Sequence, residues 1–153
     1  MMEKVVIIIA EDDEGHFELV KRNLWRSCVD CEFMHFRNGQ EVLDFFNGKG
    51  PQSTTVQDSR YILILDIKMP KVDGREVLQT MKADPQMKKI PVIMLTTTDD
   101  PEEVQRCHEI GCSFYIVKPS DYTTFMEAVA SLGAFLSIGG IRVPCFERKP
   151  TTV

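Results

Sequence analysis

"YILILDIKMPKVDG", residues 61–74, is an apolar run that ends on a carboxylate, Asp66, followed by a Met-Pro turn and a glycine. A strand without polar alternation is covered on both faces, the pattern of a parallel sheet enclosed by helices. Packing gives no reason for an acid where such a strand runs out, so the surroundings of Asp66 decide the reading. Comparable runs occur at 5–10 ("VVIIIA"), 32–36 ("EFMHF"), 92–96 ("VIMLT") and 113–117 ("SFYIV"). Between them apolar residues recur at helical spacing: Phe17, Val20 and Leu24; Val77, Leu78 and Met81; Phe125, Val129, Leu132 and Leu136. "DDPEE" is a helix start, with Asp100 as cap, Pro101 at the first helical position and two glutamates where the helix dipole favours them. Strand alternates with helix five times, which predicts an α/β domain with one parallel sheet, right-handed crossovers and helices on both faces.

A chain of 153 residues fits one domain with a real core. Its 18 Lys and Arg against 23 Asp and Glu give a formal charge of −5, which disfavours nucleic acid or an anionic membrane as partner. No apolar run approaches the roughly 20 residues of a membrane span, and the N-terminus lacks a signal-peptide pattern, so a cytoplasmic location is expected. The five cysteines are expected to be reduced and to pack as small apolar groups. Cys28 and Cys31 in a C-x-x-C, and Cys107, His108 and Cys112, leave zinc or redox chemistry as the lesser reading. Residues 47–60, rich in Gly, Ser, Thr and Gln, read as a mobile loop between the second helix and third strand. The domain is placed at 1–140, and 141–153 as a C-terminal tail with no output domain.

All strands of a parallel sheet point one way, so their C-terminal ends line one edge, where open α/β folds bind ligands. The first strand runs into Glu11, Asp12 and Asp13; the third ends at Asp66; the fourth ends at Thr96; the fifth is followed by Lys118 and Pro119. Carboxylates held together stay ionised only beside a cation. Mg²⁺ suits them, because it is commonly held by one or two carboxylates while keeping waters and accepting a phosphate oxygen. Lys118 and Thr96 could bind the remaining oxygens of a phosphoryl group. Asp66 then reads as an exposed nucleophile beside a metal.

"AEDD", "ILDIKMPKVDG", "PVIMLTT" and "YIVKP", in this order and spacing over residues 4–137, resemble the receiver domain of two-component response regulators. The long loop before strand three and "KVDGREVL" most resemble the small single-domain phytochrome-associated members. The resemblance implies a flavodoxin-like, doubly wound, five-stranded sheet of order 2-1-3-4-5. It implies Asp66 as phosphoacceptor and Mg²⁺ held by Glu11, Asp12, Asp66 and the backbone carbonyl of Lys68. A one-residue shift in register would promote Asp13 instead. It further implies Thr96 and Lys118 on the phosphoryl oxygens, Tyr115 with Thr96 as the switch pair, and a cis Lys118–Pro119 bond. Lys68, two residues after the acceptor, occupies a variable position and leaves phosphoryl lifetime open.

The function expected is that of a single-domain response regulator rather than an enzyme. Asp66 takes a phosphoryl group from the phosphohistidine of a sensor histidine kinase, of phytochrome type if the narrower resemblance holds, or of a phosphotransfer protein. Output is then binding to a downstream protein or homodimerisation. A dimer surface is expected around the fourth and fifth helices and their strand, with Phe135 and Ile138 in an apolar patch. Two alternatives compete. One is a phosphate-independent interaction module. The other is a Mg²⁺-dependent phosphohydrolase with an aspartyl nucleophile, for which Lys68 stands where a second Asp is usual.

Overall fold

The computed structural model describes residues 5–27, 31–49, 59–137 and 145–146. The elements are β1 (Val5–Ala10), α1 (Glu14–Ser27), β2 (Glu32–Phe36), α2 (Gly39–Phe46), β3 (Ser59–Leu65), α3 (Gly74–Ala83), a short 3-10 turn at Met87–Lys89, β4 (Val92–Thr96), α4 (Pro101–Ile110), β5 (Phe114–Val117), α5 (Tyr122–Ser137) and β6 (Cys145–Phe146). The first five strands form the predicted parallel sheet in the order β2-β1-β3-β4-β5.

The solid apolar runs follow from the pleat, which sends successive side chains to opposite faces. Ile8, Leu63, Leu65 and Met94 enter a core with Val42, Phe45, Val77, Leu78 and Met81 of α2 and α3. Their neighbours Ile7, Ile9, Ile62, Ile64 and Ile93 enter a second core with Phe17, Val20 and Leu24 of α1 and Phe125, Val129 and Leu132 of α5. Polar residues on either face would lie in a core, so β1 contains none and those of β3 and β4 (Ser59, Arg60, Thr96) stand only at the strand ends. Asp100 caps α4 as expected, its carboxylate accepting from Glu102 N at 3.1 Å ahead of Pro101.

Three findings differ from the sequence reading. The stretch read as a tail contributes β6, which pairs antiparallel with the start of β3, Ser59 facing Phe146 and Arg60 facing Cys145. β3 begins upstream of β4, which pairs only from Leu63 and Val92 onward, and β6 takes the overhang. Cys31 is disulfide-bonded, against the expectation that every thiol is reduced. It lies before β2 at intermediate exposure and is not sealed in a core, whereas Cys107 and Cys112 are buried and free. No peptide bond among the described residues is cis, so Lys118–Pro119 is trans, the form an X-Pro bond favours by about 0.5–1 kcal/mol. Cys28, residues 50–58 of the predicted loop and Ile138 fall outside the described residues, as do the side chains of Phe135 and Leu136.

Candidate functional site

The strand ends meet because the ladder continues one residue beyond the sheet. Glu11 N donates to Phe36 O at 3.0 Å, Asp66 N to Ala10 O at 3.1 Å and Lys118 N to Thr96 O at 2.7 Å. These bonds set Glu11, Asp66, Thr96 and Lys118 side by side along the C-terminal edge, with strands about 4.8 Å apart. All four are buried, Asp66 among them, against its reading from sequence as an exposed group. Asp12 is exposed, yet one carboxylate oxygen from each of Glu11, Asp12 and Asp66 falls within 4.8 Å of the others.

Lys118 is the countercharge. Its Nζ donates to Glu11 Oε2 at 2.5 Å and to Asp66 Oδ2 at 3.4 Å, with only 4 % of its side chain exposed. Even so, burial pushes the Glu11 carboxyl up to about 7; the Asp66 charge adds to this and the Lys118 bond opposes it. The donor set is hard oxygen, crowded and short of positive charge, which is the chemistry a small divalent cation satisfies. The residues therefore fit such an ion.

The order of the acids is settled by the start of α1. Asp13 lies outside the trio, and its Oδ1 accepts from His16 N at 3.0 Å, capping the helix. That bond holds its carboxyl below the usual aspartate range. The alternative register that would put Asp13 in the trio is thus not the one adopted. Gly74 secures the other side of the site. A Cβ there would lie 2.0 Å from Asp66 O, so α3 approaches the Asp66 backbone as only glycine allows.

Thr96 is wholly buried, and its Oγ1 lies 3.5 Å from the donating Thr98 N. Tyr115 on β5 donates its hydroxyl to Thr98 O at 2.6 Å, so the fifth strand is tied to the loop that leaves Thr96. Burial raises the Tyr115 hydroxyl pKa, keeping it a donor. Lys68 is exposed. Two histidines went unnoticed in the sequence. His16 Nδ1 stands 3.4 Å from Lys118 Nζ and 3.8 Å from Glu11 Oε1, and with Leu19, Pro119 and Phe125 it lines a cavity of about 300 Å³ beside the lysine. His35 Nε2 bonds Glu11 O at 2.7 Å. The available signal was topological: the first turn of the helix after strand one, and the end of its neighbouring strand, must border the same edge.

The other metal-capable group does not assemble. Cys112 Sγ is 3.7 Å from His108 Nδ1. Among the described residues, however, only Glu11, Asp12 and Asp66 bring three such ligands together. Burial pushes the Cys107 thiol up to about 11 and raises Cys112 as well, leaving both as packing groups.

A doubly wound parallel sheet with three acids and a buried lysine at its C-terminal edge defines an α/β protein equipped to hold a cation and an anionic group side by side. The family model for the response regulator receiver domain matches residues 7–130, and the chain belongs to that family. It is 30% identical over 130 residues to response regulator Rcp1 of Synechocystis sp., a match spanning 85% of this chain and 87% of Rcp1. A receiver domain from Rhodospirillum rubrum superposes with a TM-score of 0.83 at 34% identity, covering 94% of this chain and 99% of that one. The phosphorylated cyanobacterial phytochrome response regulator RcpA gives 0.82 at 26% identity, covering 94% and 99%. The structure of Rcp1 in its Mn²⁺-bound form gives 0.83 at 29% identity, covering 91% and 98%. Like these relatives, the chain is a two-component signalling protein; no helix among its described residues is long and apolar enough to cross a membrane.

Proposed function

We propose that Asp66 accepts a phosphoryl group from the phosphohistidine of a histidine kinase or phosphotransfer protein, and that the modified domain signals by binding protein. The observation that carries this is the placement of Asp66 at a buried strand end between the Glu11–Asp12 acids and the Lys118 ammonium. An Asp66 carboxylate oxygen attacks phosphorus, the phosphorus–nitrogen bond of the donor breaks, and the imidazole leaves with the bonding pair. Glu11, Asp12, Asp66 and the Lys68 carbonyl would hold Mg²⁺, which when bound supplies the charge neutralisation that phosphoryl transfer needs. Lys118, now paired with Glu11 and Asp66, turns to the new phosphoryl oxygens, and Thr96 supplies a hydroxyl donor. Movement of Thr96 displaces the loop whose Thr98 carbonyl holds Tyr115, which gives the site a mechanical route to β5.

We assign the output surface to that route. Phe114 and Val117 of β5 stand 44% and 39% exposed on an edge strand, and a second copy of the chain is the partner we assign to them. The resemblance to RcpA, a cyanobacterial phytochrome response regulator, supports a light-sensing kinase as the donor. A cytoplasmic location accords with such a partner.

Acetyl phosphate with and without Mg²⁺ tests this by intact mass. The expected result is a Mg²⁺-dependent gain of one phosphoryl group that Asp66→Asn abolishes, with elution on a sizing column shifting toward the dimer. No gain, joined to no response to beryllofluoride, would leave an interaction module that has the fold and lacks the chemistry.

A further inference from the structure

Both backbone groups of Glu11 are held by β2. Its N–H donates to Phe36 O at 3.0 Å, and its carbonyl accepts from His35 Nε2 at 2.7 Å. A carbonyl only accepts, so Nε2 carries the proton in this contact. His35 is opposite Ile9 in the register and lies on the α1 side of the sheet, where its ring stacks on Phe17 with centroids 3.7 Å apart and planes 6° from parallel. The stack fixes the ring plane, and the ring plane fixes where Nε2 points. The same peptide region carries the acceptor, since Asp66 N donates to Ala10 O, one residue before Glu11.

We infer that His35 is a positioning residue for the cation site, acting through its hydrogen bond to the Glu11 carbonyl to aim the Glu11 and Asp12 carboxylates toward Asp66. This inference rests on the proposed function of the acid trio. A histidine that merely filled the core beside Phe17 would support the fold and leave cation affinity alone. One that orients the acid loop sets that affinity, because groups that hold metal ligands in place are commonly worth at least tenfold in binding. The loop needs such a restraint, because Asp12 is exposed and the Glu11 carboxylate is also paired with Lys118.

The test is titration of the full chain with Mg²⁺ alone, followed by calorimetry, with melting curves recorded without metal. His35→Phe keeps a ring over Phe17 and removes the donor, and is expected to weaken Mg²⁺ about tenfold. His35→Gln places an amide N–H near the position of Nε2, and is expected to bind within about twofold of the wild type despite losing the stack. If His35→Phe fails to fold, His35→Asn replaces it, since its amide is too short to reach Glu11. Wild-type affinity in His35→Phe or His35→Asn overturns the inference, as does loss in His35→Gln equal to that in His35→Phe. A wild-type protein that binds no Mg²⁺ at all overturns the reading of the acid trio, and the inference with it; the failures are thereby told apart.

Discussion

Among the described residues, two groups of metal-capable side chains lie close together, and one of them brings three ligand groups within reach of a single ion. Glu11, Asp12 and Asp66 come from the ends of different strands, are brought within 4.8 Å by the sheet, and remain under electrostatic pressure that a single lysine does not relieve. Cys107, His108 and Cys112 come from one helix and its end, and both thiols face the core with raised pKa values. Ligand-type residues near one another in sequence can be absorbed by packing, whereas strand ends deliver groups to an edge where no core can take them. A site is recognised by charge left uncompensated there, rather than by residue type.

Removing the countercharge should break the comparison most severely. Lys118→Ala leaves two buried carboxylates without their ammonium, and loss of one partner of a buried pair costs about 3–5 kcal/mol. Urea unfolding should show a loss of that order without metal and substantial recovery in Mg²⁺, because the cation replaces the ammonium. Gly74→Ala drives a Cβ into Asp66 O and should cost roughly 1–3 kcal/mol by the same measurement, as overpacking does, with Mg²⁺ unable to restore it.

Glu11 sharpens the contrast through pH. Its folded pKa stands near 7 against an ordinary 4.5, so across that window the folded protein keeps a proton the unfolded chain has lost. Metal-free stability from this group is therefore full below 4.5 and falls as pH rises to 7. Mg²⁺ needs the ionised form, so its affinity should rise by up to about tenfold per pH unit across the window and then flatten, as calorimetry would record. The smallest effect belongs to the cysteines. Cys107→Ala should cost about 1 kcal/mol, the scale of a small buried group, with the same loss in Mg²⁺ or Zn²⁺. A zinc-dependent rise in melting temperature that Cys107→Ala removes would put the second group back among the sites.

The sheet was legible because strands buried on both faces must be written in apolar residues, and "YILIL" can be read in few other ways. Asp66, Thr96 and Lys118 were legible for the complementary reason, as polar groups placed where those strands stop. The choice between Asp12 and Asp13 was not, because it turns on which acid caps α1, a difference of one residue that only the helix start decides. β6 depends on β3 outreaching β4, a property of the assembled register that two residues of local sequence cannot carry. Nothing local in the sequence singles out His16 and His35, because their partners are the Lys118 ammonium and a backbone carbonyl, contacts made only once β1, β2, β5 and α1 are assembled.

Borohydride reduction of protein phosphorylated by acetyl phosphate in Mg²⁺, followed by peptide mapping, tests the central claim most directly, because it converts an aspartyl phosphate to homoserine where it stands. Homoserine at position 66 alone is the predicted result. Homoserine at position 12 or 13, or at no position in protein shown by mass to carry phosphate, would contradict the assignment of Asp66 as acceptor.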